Sequence, residues 1–251
     1  MNSVSNLGAY LQRFGLLTGY GLYLSTKMKR GVRAVTVPGM ANPVYMRTGT
    51  SDRSAFNEVI VKRWYDHPFP GGQPRLIIDA GANVGYASVR FAELYPDADI
   101  IAIEPDSENF ELVERNIAAY PRARAMRCGV WPRSAELVIE NPDAKSWAFR
   151  VREAREGESG FAAVGLNDLL ETHASRAIDI LKLDVEGAEK ELFEDEKCHE
   201  WLARTKMMFI ELHDRIKPGC TEAMERAIAP HHFSRMHHGS NLILIRQSGL
   251  G

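Results

Sequence analysis

Cysteines are few in this chain, long apolar runs are missing, and neither sign of charge is in excess. Only three cysteines occur, Cys128, Cys198 and Cys220, too far apart for a metal-binding pair, so we expect free thiols in a reducing compartment. No apolar run reaches the roughly 18 residues that a membrane-spanning helix needs. The formal net charge is only −2, which gives no general attraction for nucleic acid or for an anionic membrane.

The N-terminus also lacks a basic flank followed by an apolar core and a small-residue cleavage site, so we expect a cytoplasmic protein. With 251 residues, 45% hydrophobic and 25% charged, the chain can form one globular α/β domain and a small extension. A tract with three prolines and two glycines at 66–74 separates the two. We therefore predict an N-terminal extension over residues 1–70 and the main domain over 71–251.

The extension combines apolar residues and glycines with a basic end. Residues 7–30 predict one or two short amphipathic helices, since four glycines argue against one rigid helix. A cap packed on the main domain is the simpler interpretation, and a helix that docks on a membrane surface or a partner is the alternative. Segments 32–37 and 44–47 predict a small hairpin, followed by a helix to about residue 64 that begins at Ser51 or Asp52.

The stretch 76–85, Leu-Ile-Ile-Asp-Ala-Gly-Ala-Asn-Val-Gly, predicts a buried parallel strand, a tight loop and the start of a helix. Gly81 and Gly85 are expected to let the backbone approach a ligand where a side chain would collide with it. The next strand ends at Glu104, 23 positions after Gly81, near the spacing of a carboxylate that binds the ribose of a nucleotide. Together they predict an adenosine-type cofactor.

The remaining patterns predict a doubly wound, mostly parallel α/β sheet that ends in an antiparallel hairpin. Further strands are predicted at 123–130, 177–183 and 206–212, helices at 109–120, 188–202 and 223–229, and the hairpin at 233–236 and 242–246. Between them, 135–139 and 146–151 predict an antiparallel insertion, 152–160 an exposed loop, and Asn167 or Asp168 the cap of a short helix. The end of the third strand, Gly129 to Trp131, lies where an adenine ring would bind in such a sheet.

Ligands of open α/β sheets bind beyond the carboxyl ends of the strands. The polar residues at those ends are Asp79, Glu104, Asp184, Glu186, Glu211 and His213. Lys182, within a buried strand, needs a partner, and Glu211 on the neighbouring strand is the expected one; the alternative is a lysine of lowered pKa that assists deprotonation. His213 could accept a proton from an acceptor hydroxyl, or be a histidine hydrogen-bonded at a strand end. Asp184, Glu211 and His213 could also hold a divalent metal, although we do not predict one.

Four segments together resemble the FkbM-type family of S-adenosylmethionine (SAM) methyltransferases, which belong to the class I, Rossmann-like methyltransferases. They are 79–85 (DAGANVG), 104–106 (EPD), 178–189 (IDILKLDVEGAE) and 209–213 (FIELH), and the turn at 50–52 is similar to the family's entry motif. The resemblance extends over about 47–245, and residues 1–30 lie outside it.

This resemblance implies transfer of a methyl group from SAM to oxygen, usually on a sugar or a secondary metabolite, with S-adenosylhomocysteine (SAH) as the product. The implied cofactor-binding residues are Asp79, Gly81, Asn83, Gly85, Glu104, Pro105, Asp106, Gly129, Val130, Trp131 and Ser51. The glycine loop with Asn83 would hold the methionyl end, Glu104 the ribose, and residues 129–131 the adenine. The catalytic candidates are Asp184, His213, Glu211 and Lys182, with Asp184 near the sulfonium and the acceptor.

Three other functions stay open on the sequence. An RNA methyltransferase would need a basic surface with aromatic residues, which the balanced charge does not supply. The other two are a nicotinamide-dependent oxidoreductase and a non-catalytic SAM-binding protein that docks through its N-terminal helix. We expect a small-molecule or glycan acceptor and no nucleic acid as partner, and the sequence does not determine the oligomeric state.

Overall fold

The computed structural model describes residues 3–27, 31–140, 151–174 and 177–247. The helices are α1 (Ser3–Phe14), α2 (Leu16–Ser25), α3 (Asp52–Phe56), α4 (Tyr86–Leu94), α5 (Ser107–Ile117), α6 (Leu166–Thr172), α7 (Glu189–Glu194), α8 (Cys198–Ala203) and α9 (Cys220–Ile228). A π-helical turn (Asn57–Val61) continues α3, and a 3-10 turn (Ala229–His231) continues α9. None of the helices in the described ranges is long and apolar enough to cross a membrane.

The strands are β1 (Gly31–Val35), β2 (Val44–Thr48), β3 (Leu76–Ala80), β4 (Asp99–Ile103), β5 (Ala123–Met126), β6 (Gly129–Trp131), β7 (Ala135–Ile139), β8 (Val151–Glu153), β9 (Phe161–Gly165), β10 (Ile178–Leu183), β11 (Thr205–Ile210), β12 (Phe233–His238) and β13 (Asn241–Arg246). Seven of them form the main sheet, in the order β12-β13-β11-β10-β3-β4-β5. Within this sheet the neighbouring strands β11, β10, β3, β4 and β5 are parallel, and β13 runs antiparallel to β11 and β12. The predicted doubly wound sheet with a terminal hairpin is confirmed.

The central strands β3 and β10 are buried along their whole length, as their largely apolar sequences predicted. Because side chains alternate along a strand, they feed two core layers. Ile77 and Ile180 lie in one layer, together with residues of α4, α5 and the N-terminal helices. Leu76 and Leu181 lie in the other, against α6 to α9. The three cysteines are buried and free, as predicted.

The N-terminal extension packs on the first of these layers. Gly15, with φ +81°, separates α1 from α2, so of the one or two short helices predicted the structure has two. The predicted hairpin is β1 paired antiparallel with β2. Tyr10 and Leu22 are buried in the same layer as Ile77, which agrees with a cap on the main domain. Leu17 of α2 is 91% exposed, and the docking role of this helix and the domain boundary at residue 70 stay predictions.

The segment after β5 differs from the prediction. The strand predicted at 123–130 ends at Met126, because the N–H of Cys128 bonds to the carbonyl of Met126 at 3.1 Å and turns the chain. Residues 129–131 instead form β6 in a second sheet of order β6-β9-β7-β8. The predicted insertion is present as β7 paired with β8, and its part at 146–150 lies outside the described residues. β9 was missed because its small residues give a weak strand signal.

Two predicted helix boundaries are corrected, and a third, at Ser51, is confirmed without the expected side-chain cap. The helix at 188–202 is two helices, α7 and α8, because the backbone is extended at Asp195. Ser51 occupies the N-cap position of α3 without a side-chain hydrogen bond, and the Thr50 hydroxyl accepts the N–H of Asp52 at 3.2 Å instead. Gly165 is the N-cap residue of α6, and Asp168 accepts its N–H at 3.3 Å from the first turn.

Candidate functional site

The crevice at the carboxyl end of β3 brings the glycine loop and Glu104 together. The chain passes from β3 to β4 and β5 on one side, and later returns to β10 on the other side of β3. Ligands of open α/β sheets bind where the strand order reverses in this way. The N–H groups of Gly81 and Ala82 donate to the carbonyl of Ile103, at 3.0 and 2.8 Å. The N–H of Asn83 donates to Glu104 Oε2 at 2.8 Å. The loop and the acid are therefore joined by direct hydrogen bonds.

Glu104 is a buried carboxylate that can accept a further donor. It is 6% exposed, and its Oε1 accepts the N–H of Asp106 at 3.1 Å and Asn109 Nδ2 at 3.4 Å. Burial raises the pKa of Glu104 to about 7, although its hydrogen bonds to Asp106, Asn83 and Asn109 lower it. An ionised carboxylate offers about four acceptor positions, and three protein donors leave one for a ligand. A hydroxyl that donates there would stabilise the charged form.

The two loop glycines are required by packing within the protein, and their close approach to a ligand stays a prediction. Gly81 has φ +78°, and a Cβ there would lie 1.8 Å from the carbonyl oxygen of Asp184, just beyond β10. Gly85 has φ +82°, and its Cβ would meet the Cα of Val113 in α5 at 3.2 Å. Both positions lie in the left-handed region that favours glycine. The glycines thus let β3 meet the end of β10, and α4 meet α5.

Arg47 and Asn109, which the sequence analysis missed, connect the N-terminal extension to Glu104. Arg47 Nε and Nη2 donate to the buried carboxylate of Asp52, at 3.0 and 2.9 Å. The same Nη2 donates to Asn109 Oδ1 at 2.6 Å, and Asn109 donates to Glu104. The available signal was an arginine three positions before the turn at 50–52. The extension therefore helps to hold the acid in its position.

The other residues predicted to bind the cofactor cap a helix, lie exposed at the surface or are buried in the second sheet. Asp106 caps α5 by accepting the N–H of Asn109 at 2.9 Å, and Pro105 and Ser51 are exposed. Residues 129–131 are buried in the second sheet, where the Trp131 indole N–H donates to Glu153 Oε1 at 2.9 Å. Their contacts with a cofactor stay predictions.

Lys182 pairs with two aspartates and holds the glycine loop. Its Nζ donates to the carbonyl of Gly81 at 2.5 Å and lies 3.3 Å from Asp79 Oδ1 and 3.5 Å from Asp184 Oδ2. Asp79 is fully buried, and its Oδ2 accepts the hydroxyl of Ser88 in α4 at 2.6 Å. Asp79 therefore ties β3, α4 and Lys182 together.

The predicted pair of Lys182 and Glu211 is wrong. The parallel register aligns Lys182 with Asp79 on β3, whereas Glu211 lies beyond the end of β11 and accepts the hydroxyl of Ser240 at 3.0 Å. Burial alone would lower the pKa of Lys182, but the charges of Asp79 and Asp184 raise it above its ordinary value. The alternative of a lysine with a lowered pKa is therefore also wrong, and Lys182 is a charged structural residue.

His213 is buried among three carboxylates. Its Nδ1 lies 2.8 Å from Glu189 Oε1, and its Nε2 lies 3.4 Å from Glu186 Oε2 and 3.6 Å from Asp184 Oδ1. Burial alone would lower the pKa of His213, but the hydrogen bond to Glu189 and the three carboxylate charges raise it to about 9. The carboxylates around His213 thus favour its protonated imidazole. The role of His213 as a base stays a prediction.

Asp184, Glu186 and His213 form a group whose potential ligand atoms all lie within 4.8 Å of one another. Glu211, which the sequence analysis named as a possible member of such a set, is not part of it. Burial raises the pKa of Glu186 to about 7, with His213 lowering it. Glu186 has φ +52°, so it lies in a turn where strand alternation does not describe the direction of the side chain. The only signal in the sequence was an acid close to a strand end.

Comparison with known proteins gives a family and several relatives. The family model described as the methyltransferase FkbM domain matches residues 79–236, more than half of the chain. Methyltransferase sdnD of Sordaria araneosa is 29% identical over 181 residues, which cover 58% of this chain and 69% of that protein. The 2-O-methyltransferase NoeI of Sinorhizobium fredii is 24% identical over 157 residues, which cover 56% of this chain and 64% of that protein.

This chain is also similar to a solved structure of a methyltransferase FkbM from Methylobacillus flagellatus, with a TM-score of 0.49 and 13% identity. The match covers 75% of this chain and 47% of the solved chain. The chain thus spans less than two thirds of the length of NoeI and less than half of that solved chain. The family match includes the glycine loop, Glu104 and the group around Asp184 and His213. The chain belongs to the family of FkbM-domain methyltransferases.

Proposed function

We propose that the protein is a SAM-dependent O-methyltransferase that acts on a hydroxyl of a sugar, a glycan or a secondary metabolite. Membership of the FkbM family supports methyl transfer, and the similarity to a 2-O-methyltransferase supports oxygen as the acceptor atom. The observation that carries the cofactor assignment is the hydrogen bond from Asn83 to Glu104, which unites a glycine loop and a buried acid in one crevice. A cytoplasmic location and the absence of a nucleic-acid partner belong to the same proposal.

The residues of the crevice fit the adenosine part of SAM. Glu104 has an acceptor position left for a ribose hydroxyl, and its burial makes an additional donor favourable. A carboxylate at this position would repel the 2′-phosphate of a phosphorylated dinucleotide. When bound, SAM supplies an electrophilic methyl group, so the main task of the protein is to align the acceptor oxygen with it.

Asp184 is the residue that we assign to the acceptor. Its side chain is 27% exposed, whereas those of Lys182 and Asp79 beside it are 5% and 0% exposed. The carbonyl of Asp184 lies against Gly81, so its carboxylate is close to the glycine loop. A carboxylate there can accept a hydrogen bond from the acceptor hydroxyl and orient its oxygen. Lys182 then acts as a positioning residue through Asp184 and the loop.

Two measurements on the purified protein test the proposal. Calorimetry should show that SAH binds with micromolar or better affinity, whereas NAD does not bind. Incubation with SAM labelled on its methyl group and a panel of sugars and hydroxylated metabolites should give a labelled ether. Tight binding of NAD without SAH would indicate an oxidoreductase, and salt-sensitive, tight RNA binding would indicate an RNA methyltransferase. SAH binding without transfer across the whole panel would indicate a non-catalytic SAM-binding protein.

A further inference from the structure

We infer that Asp184, Glu186 and His213 form a binding site for one divalent cation, next to the proposed SAM crevice. Their ligand atoms are Asp184 Oδ1, Glu186 Oε2 and His213 Nε2, one oxygen or nitrogen from each side chain. The binding of the cation does not depend on the proposed function, whereas its role toward the acceptor rests on it.

The distances within the group fit a bound cation. Metal–ligand bonds of about 2.1 Å place two ligand atoms about 3.0 Å apart at a right angle and about 4.2 Å apart when they are opposite each other. His213 Nε2 lies 3.4 Å from Glu186 Oε2 and 3.6 Å from Asp184 Oδ1, between these two limits. All three atoms lie within 4.8 Å of one another, so small side-chain rotations complete the site.

The second nitrogen of His213 is held as metal-binding histidines usually are. Its Nδ1 bonds to Glu189 Oε1 at 2.8 Å, which directs Nε2 toward Asp184 and Glu186. Glu189 is itself fully buried, and it accepts the N–H groups of Val185 and Gly187 at 3.1 and 2.8 Å. The turn that carries Glu186 and the histidine are thus fixed by the same carboxylate.

One ligand atom makes no hydrogen bond. Glu186 Oε2 is buried and accepts no hydrogen bond from the described residues, although a buried carboxylate oxygen is costly to leave without one. Its neighbour is His213 Nε2 at 3.4 Å, on a side chain that is only 4% exposed. A cation bound between them would satisfy the Glu186 oxygen.

The charges around the group favour an additional cation. Asp79, Asp184, Glu186 and Glu189 are carboxylates, and Lys182 is the contacting cation that remains when a metal ion replaces the proton on His213 Nε2. Buried carboxylates in excess over cations repel each other and are stabilised by a metal ion. Two carboxylates and one imidazole, without a thiolate, suit Mn²⁺ or Mg²⁺ better than a soft metal.

The location of the site suggests what the cation does. Asp184 connects it to the glycine loop, because the carbonyl of Asp184 packs against Gly81. The carboxylate of Asp184 is also the group that we assign to the acceptor. A cation held here would bind the acceptor oxygen on the side of the crevice where the methyl group is delivered.

Mn²⁺ is the probe that tests this inference, because its electron paramagnetic resonance signal decreases when it binds to a protein. We expect the wild-type protein to bind one Mn²⁺ per chain, and Glu186→Gln to weaken binding at least about tenfold. Glu211→Gln is the matched control, since Glu211 is an acid at the same sheet edge that bonds to Ser240 and lies outside the group. It should leave the affinity for Mn²⁺ within about twofold of the wild type.

Lack of Mn²⁺ binding by the folded wild-type protein at millimolar concentration would overturn the inference, as would a Glu211→Gln effect equal to that of Glu186→Gln. If Glu186→Gln does not fold, as judged by circular dichroism, Asp184→Asn takes its place with the same expected loss. Calorimetry with SAH on the same samples separates the two proposals. Failure to bind SAH contradicts the proposed function, and failure to bind Mn²⁺ contradicts only the metal site.

Discussion

Glu104 is expected to make the affinity for SAH depend on pH. Burial raises the pKa of Glu104 to about 7, and a ribose hydroxyl that donates to it binds the ionised form. Above pH 7 the carboxylate is charged, and the affinity stays at its highest value. Below pH 7 the carboxyl must lose a proton before it accepts the hydroxyl, so the affinity falls as the pH decreases.

The size of the effect follows from the raised pKa. At about pH 5.5, some 1.5 units below the pKa, only about 3% of Glu104 is ionised in the free protein. The dissociation constant for SAH should then be about 30-fold larger than at about pH 8.5, equivalent to about 2 kcal/mol. With the ordinary glutamate pKa, the affinity would hardly change over this range.

Titration calorimetry with SAH at both pH values measures the effect. Glu104→Gln should weaken binding at high pH and remove the pH dependence, since an amide does not ionise in this range. Glu186→Gln is the control, because burial also raises the pKa of Glu186 to about 7 and its loss should leave the dependence intact. Equal affinities of the wild type at both pH values, or a dependence that persists in Glu104→Gln, would refute the assignment of Glu104 to the ribose.

Three further predictions concern stability, each measured by denaturant unfolding. Gly81→Ala should abolish folding or lower the free energy of unfolding by more than about 3 kcal/mol, because the added Cβ would clash with a backbone oxygen. In the control Gly39→Ala, the glycine has φ +81° but open space around it, so the loss should be about 1 kcal/mol. Similar losses in the two variants would contradict the packing role of Gly81. Lys182→Met should lower the free energy of unfolding by about 3–5 kcal/mol, because it removes the buried cation that pairs with Asp79 and Asp184. The control Arg235→Met removes an exposed ion pair and should lower it by at most about 1 kcal/mol. A small effect of Lys182→Met would refute its structural role. Asp106→Ala should cost about 1 kcal/mol through loss of the cap of α5, and an unchanged midpoint would show that the cap contributes nothing.

Much of the cofactor crevice was predictable because it depends on local patterns and on one rule of topology. Largely apolar segments predicted β3 and β10 as buried parallel strands, and the loop and the acid follow consecutive parallel strands. The carboxyl ends of such strands meet at one edge of the sheet, so Asn83 and Glu104 had to be neighbours. The reason for the glycines was not predictable, because it depends on how closely β10 and α5 approach the loop.

Contacts between side chains from distant parts of the chain were decided by the tertiary structure alone. Strand register selected Asp79 over Glu211 as a partner of Lys182, and a sequence pattern does not contain that register. Glu186 itself has a positive φ, and its side chain lies toward His213 in a turn where strand periodicity no longer applies. The sequence by itself therefore determined the family, the sheet and the crevice. Only folding determined which carboxylates surround Lys182 and His213, because distances between side chains depend on the packing of whole elements.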